Sequence, residues 1–148
     1  MTDRRRSTRP VRLPAVAGLL ALLALPACGG GSSSTTTTPL PKVPASEYVD
    51  QTGKAEVTIL AVDNSFRTQY TKVSPGTKVV FENKGRNPHN VIAVNEGQFT
   101  DIPTDQLQAG DSGSITVPDT PGEVPYYCSL HGTPRAGMTG RLLVVADK

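Results

Sequence analysis

From about Lys54 onward the chain alternates. In AEVTILAV (55–62) polar and apolar residues exchange at every second position, the period of a strand with one buried face. The same pattern predicts strands over 70–73, 77–83 (TKVVFEN), 89–94 (HNVIAV), 112–118 (SGSITVP), 121–128 (PGEVPYYC) and 139–146 (TGRLLVVA). Ser74-Pro75-Gly76-Thr77 reads as a turn, because Pro fixes φ and Gly supplies a positive φ. Residues 95–111 are polar with scattered Pro and Gly, and read as a long surface connection. Pro125 has no N–H to give to a ladder, so it predicts an edge position or a bulge. Seven to eight short strands with frequent turns predict an all-β fold, a Greek-key β-sandwich of two sheets occupying residues 53–148.

The first part of the chain obeys a different pattern. Arg4, Arg5, Arg6, Arg9 and Arg12 precede an apolar run from Leu13 to Pro26. A basic start followed by a short apolar run is the layout of an export signal, here residues 1–27, and the run is too short for a permanent span. Leu25-Pro26-Ala27-Cys28 resembles a bacterial lipobox. The resemblance implies cleavage after Ala27, lipidation of Cys28, and anchoring to the cell membrane on its extracytoplasmic side. The arginines also suggest twin-arginine export, but the apolar residue that should follow the pair is missing. Residues 28–52 then read as a tether. Its Gly/Ser part is flexible, its prolines stiffen the end, and nothing in it builds a core.

Charge changes the picture only once the leader is set aside. The formal net charge is +2, but without the five arginines and Asp3 there remain 10 basic and 12 acidic residues, a net of −2. The basic cluster belongs to the targeting segment, so nothing marks a nucleic-acid partner.

Candidate chemistry is scarce and concentrated. The chain has two His, two Cys and two Met, and Met1 and Cys28 lie in the leader and tether. There remain His89, Cys128, His131 and Met138, of which the last three fall within YYCSLHGTPRAGMTG (126–140). Cys128 ends a predicted strand, and a tight turn can bring His131 to the same point. Strand ends of a sandwich gather at one pole, where His89 can join them. Two imidazoles, one thiolate and a more distant thioether form the ligand set of an electron-transfer copper site. Structural zinc would want more thiolates or histidines. A disulfide would need Cys28, the predicted anchor. A Cys-His nucleophilic pair would need further groups that no signature supplies.

At these residues the sequence resembles the plastocyanin/azurin-type cupredoxins, over about 55–147. The shared features are the Asn-ended strand and His-Asn of FENKGRNPHNV, then Tyr-Cys-x-x-His, then Met-x-Gly leading into the last strand. The resemblance implies one type 1 copper ion bound by His89, Cys128 and His131, with Met138 as axial ligand. It implies that Asn90 ties the ligand loops together, with Ser129 as its partner. It further implies a one-electron carrier, not an enzyme, that meets transient redox protein partners as a monomer. Electrons would leave through a face around His131 that includes Pro134, Arg135 and Ala136, or through Tyr127, which is equally readable as an ordinary strand tyrosine. The competing reading is a copper-handling lipoprotein with no dedicated electron-transfer role. One departure stands out: the segment from His131 to Met138 is longer than in typical plastocyanins. The alternatives open to such a loop are a Gln, the Pro88 carbonyl or an open axial position.

Overall fold

The computed structural model describes residues 38–146; the export segment, Cys28 and the chain up to Thr37 lie outside the described residues. Nine strands follow in order: β1 (Val49–Asp50), β2 (Glu56–Val62), β3 (Ser65–Arg67), β4 (Tyr70–Val73), β5 (Lys78–Asn83), β6 (Ile92–Ala93), β7 (Ser112–Thr116), β8 (Gly122–Thr133) and β9 (Ala136–Val144). They form two sheets, ordered β1-β4-β9-β8-β6 and β3-β2-β5-β7. Pairings β1–β4, β4–β9 and β2–β5 are parallel, and the others are antiparallel. From β3 to β8 the chain changes sheet at each connection, which is the Greek-key sandwich expected from the alternation.

The expected period is visible in burial. β2 alternates exposed and buried, placing Val57, Ile59 and Ala61 inside. The facing sheet contributes Val124, Tyr126 and Cys128 from β8, and Met138, Leu142 and Val144 from β9. At the centre Phe66, Phe81 and Tyr126 meet edge to face, with ring centroids 5.1–5.7 Å apart. Each such pair contributes about 0.5–1.5 kcal/mol beyond area burial. The Tyr126 ring lies across Gly140, where an added Cβ would sit 2.2 Å from the ring. That close approach is why β9 carries a glycine in mid-strand.

Four expectations need correction. Among the described residues there are nine strands, because β1 and β3 are too short for any period to show. The strand expected over 89–94 shrinks to Ile92–Ala93, since the backbone before it bonds elsewhere. The connection 95–111 is not all surface, because it sends Ile102 and Leu107 into the core. Pro125 lies in neither an edge strand nor a bulge, since β8 sits between β9 and β6. Its carbonyl accepts from Val94 N, so its missing N–H faces the side where short β6 has run out.

The chain before β2 also departs from a free tether. A single 3₁₀ turn, Ala45–Glu47, leads to buried Tyr48, and β1 pairs with β4. Tyr48 Oη donates to Glu123 (3.1 Å), which also receives Arg141 (3.1 Å). Residues 38–52 are therefore part of the folded body.

Candidate metal centre

Three of the four candidate ligands come from one irregular hairpin. β8 and β9 pair regularly up to Tyr127↔Thr139, then pairing resumes at Gly132↔Gly137 and Thr133↔Ala136. Four residues, Cys128 to His131, thus oppose the single residue Met138. A bulge of this kind bends the strand and re-aims its side chains. It turns Cys128 into the core, leaves His131 half-buried, and pushes Leu130 out to 49% exposure. The segment expected to be an open loop between His131 and Met138 is therefore a paired hairpin tip. Its glycines are obligatory: a Cβ on Gly132 would lie 2.7 Å from Ala136 O and Met138 N. Gly137 has φ 83°, a region that disfavours any side chain, and its Cβ would lie 2.5 Å from His131 O.

His89 arrives from the other side, on a loop pinned at both ends. Its N–H donates to Leu107 O (3.1 Å). Buried Asn83, at the end of β5, donates through Nδ2 to Asn87 O (2.7 Å) and Leu107 O (3.0 Å), and its Oδ1 accepts from Gly85 N (2.9 Å). Asn83 thus does for the His89 loop what a strand partner would have done.

The three side chains converge. Cys128 Sγ lies 3.5 Å from His131 Nδ1 and 3.8 Å from His89 Nδ1. All three ligand atoms lie within 4.8 Å of one another. With bond lengths like those of zinc, about 2.3 Å to sulfur and 2.0 Å to nitrogen, a trigonal ion would separate its S and N ligands by about 3.7 Å. The observed spacing fits. The imidazole centroids are 4.9 Å apart and the rings are inclined at 62°, edge to face. Burial first, and the neighbouring His131 second, hold the His89 pKa below its ordinary value, against a smaller opposing effect of Asp63. The neutral ring is the form that ligates a metal. Cys128 is free and fully buried.

Asn90 links the two halves. Its Nδ2 donates to Ser129 Oγ (2.9 Å), and Ser129 N donates to its Oδ1 (2.8 Å). One buried amide therefore fixes the residue after His89 to the residue after Cys128.

Comparison with known proteins decides the family. The profile described as "Copper binding proteins, plastocyanin/azurin family" matches residues 53–145. The chain belongs to this family. As a cupredoxin it binds one copper ion, for which His89, Cys128 and His131 form the ligand group. It is 27% identical to plastocyanin B, chloroplastic, of Populus nigra, over 90% of this chain and 95% of that protein. Among solved structures it resembles a mutant of amicyanin in the reduced state, at TM-score 0.52 and 22% identity, covering 62% of this chain and 83% of that one. It also resembles a copper-containing nitrite reductase from Thermus scotoductus, at TM-score 0.50 and 27% identity. That match covers 63% of this cupredoxin but only 23% of the reductase.

The remaining sequence candidates are spread around the hairpin. Tyr127 is half-buried on the outer face of β8, paired with Ile92 and Thr139. Pro134, Arg135 and Ala136 are exposed at the tip, and Met138 is fully buried. Arg135, expected on the face around His131, donates to the carbonyls of Thr38 and Pro39. Sequence reasoning overlooked Leu130, because strict alternation after Cys128 puts it inside. It also overlooked Leu107, whose carbonyl holds His89 from within a stretch read as surface.

Proposed function

We propose that this cupredoxin is an exported one-electron carrier, lipid-anchored through Cys28, whose copper cycles between Cu(I) and Cu(II) with Met138 as axial ligand. The observation that carries this reading is the asymmetry of the site. Cys128 and His89 are fully buried, whereas His131 alone reaches towards solvent. When bound, the copper supplies the redox couple. The chain holds its ligands in one geometry, excludes water from the thiolate, and offers a single imidazole edge to a partner.

Several features support that role. Asn83, Asn90 and the paired hairpin tip fix the ligand loops through backbone groups, so little has to rearrange when the charge changes. Met138 is the one residue opposite the bulge, in place to approach the site as a weak axial donor. Around His131, exposed Leu130, Pro88, Pro134 and Ala136 make a small apolar rim. Such a rim desolvates at low cost and suits brief encounters with a redox protein. Tyr127 is the alternative exit. Both histidines of the chain are committed to one site, so no second histidine-ligated centre is available for catalysis.

The test is the visible and EPR spectrum of the purified chain loaded with Cu(II), followed by reduction. The expected result is an intense thiolate-to-copper band that bleaches on reduction and is missing in Cys128→Ala. A colourless Cu(II) complex, or a mutant that keeps the band, overturns the assignment.

A further inference from the structure

The segment ahead of the sandwich is strapped down at two points, and the upper one is beside the copper loop. At its lower end Tyr48 is latched to Glu123 and Arg141, and its ring lies 5.8 Å from that of Tyr70. From there the chain, read backwards, passes Pro44, Val43 and Pro41 along the outer face of the β8–β9 hairpin. Leu40 and Val43 are half-buried, and Val43, Tyr70, Pro125, Pro134 and Arg141 line a cleft of about 170 Å³ under the segment. At the upper end the Arg135 guanidinium donates from both terminal nitrogens to the carbonyls of Thr38 and Pro39. Pro39, Pro41 and Pro44 remove three backbone N–H groups and favour an extended, stiff course. The two carbonyls at Arg135 are thus anchored by a side chain instead of a sheet.

We infer that this strap sets the orientation of the copper site: it brings the chain out beside the hairpin tip, so that the His131 face is presented to the membrane and to a redox partner held in or on that membrane. This rests on the lipid-anchor reading of Cys28. The reach follows from covalent geometry. If the whole of residues 28–52 were free, the anchor could lie as much as about 85 Å from the fold. With the strap docked, only residues 28–37 remain between Cys28 and Arg135, and they span at most about 35 Å. The chain also leaves from the copper pole and not from the opposite end of the sandwich. A partner carried in the same bilayer therefore meets the His131 rim, whereas a diffusing partner has to enter the gap between domain and lipid. Arg135 serves as the clamp of this arrangement.

The test uses the full lipidated chain, loaded with Cu(II), in vesicles carrying nitroxide-labelled headgroups. Pulsed EPR measures the copper-to-headgroup distances, and limited proteolysis in the same samples reports cleavage within 38–48. The wild type is expected to show short distances, within the reach of the docked strap, and slow cleavage. The double variant Arg135→Ala/Tyr48→Phe is expected to show a broad distribution shifted outwards by tens of ångströms and cleavage faster by at least tenfold, with Arg135→Lys in between. Equal distances in wild type and double variant overturn the orienting role. Equally rapid cleavage in both overturns the strap. Chain missing from the membrane fraction overturns the anchor reading and the membrane-facing conclusion with it, while the cleavage contrast still decides whether the strap is docked.

Discussion

Asn90→Ala is the sharpest probe of how the two halves of the site are held. The substitution removes two hydrogen bonds to Ser129, Nδ2 to Oγ at 2.9 Å and Ser129 N to Oδ1 at 2.8 Å, and a longer one from Nδ2 to Thr104 Oγ1 at 3.4 Å. Each bond to Ser129 is worth about 0.5–1.5 kcal/mol net and the long one to Thr104 adds little, so the apo protein should lose about 1–3 kcal/mol. The two bonds to Ser129 span residues 39 apart in sequence and, beside the Cys128 Sγ···His89 Nδ1 contact at 3.8 Å, join the two ligand loops. The loss should therefore appear also as looser copper, by about 10–100-fold in affinity, as for other groups that orient metal ligands. Ser129→Ala makes the comparison internal. It removes the hydroxyl but keeps the N–H···Oδ1 bond, so it should cost about half as much, and the double variant should be less than additive. Urea unfolding of apo protein gives the first quantity, and competition with a copper chelator gives the second. The reasoning fails if Asn90→Ala unfolds at the wild-type midpoint and holds copper as tightly as before.

Three further outcomes are expected. Met138→Leu should keep copper and raise the reduction potential, because a donor to Cu(II) is lost, whereas Met138→Gln should lower it; protein-film voltammetry showing no change in either variant would remove Met138 from the axis. Gly132→Ala should destabilise by about 1–3 kcal/mol and blur the copper spectrum, because its Cβ meets only backbone atoms that cannot move aside; a native-like melting curve would refute the close packing of the tip. Burial, and then the charge of Glu123, push the Tyr48 pKa up to about 12. A raised pKa contributes stability that is intact below the ordinary tyrosine value and is lost as pH climbs to about 12, so the unfolding free energy should fall over that window, and less steeply in Tyr48→Phe; identical pH profiles would show that the latch contributes nothing.

The strands that build the frame were legible because each buries one face, as in β2, where every second residue is inside. The ligand types were legible because the chain has so few of them. What the pattern hid has a common cause, namely backbone groups satisfied outside the ladder. Asn83 and the Leu107 carbonyl replace strand pairing around His89, so 89–94 reads as strand when most of it is not. The bulge at Cys128–His131 breaks the period of two, so Leu130 reads as core but is exposed. The strap was hidden because prolines and small residues look the same in sequence whether they lie on a protein or in water. The side chains that hold it, Arg135 at one end and Glu123 with Arg141 at Tyr48, lie far away in the chain.

The bulged hairpin also bears on how the holo protein comes into being. Cys128 and His131 are three residues apart, whereas His89 is 39 residues from Cys128. A chain that has not yet closed its sandwich already carries thiolate, imidazole and thioether within one short stretch, able to capture an ion early. Ligands that bind the unfolded chain stabilise the folded one by less than their native affinity implies. The copper-induced rise in unfolding midpoint should therefore report chiefly what His89 and the closed fold add, and not the full strength of the site.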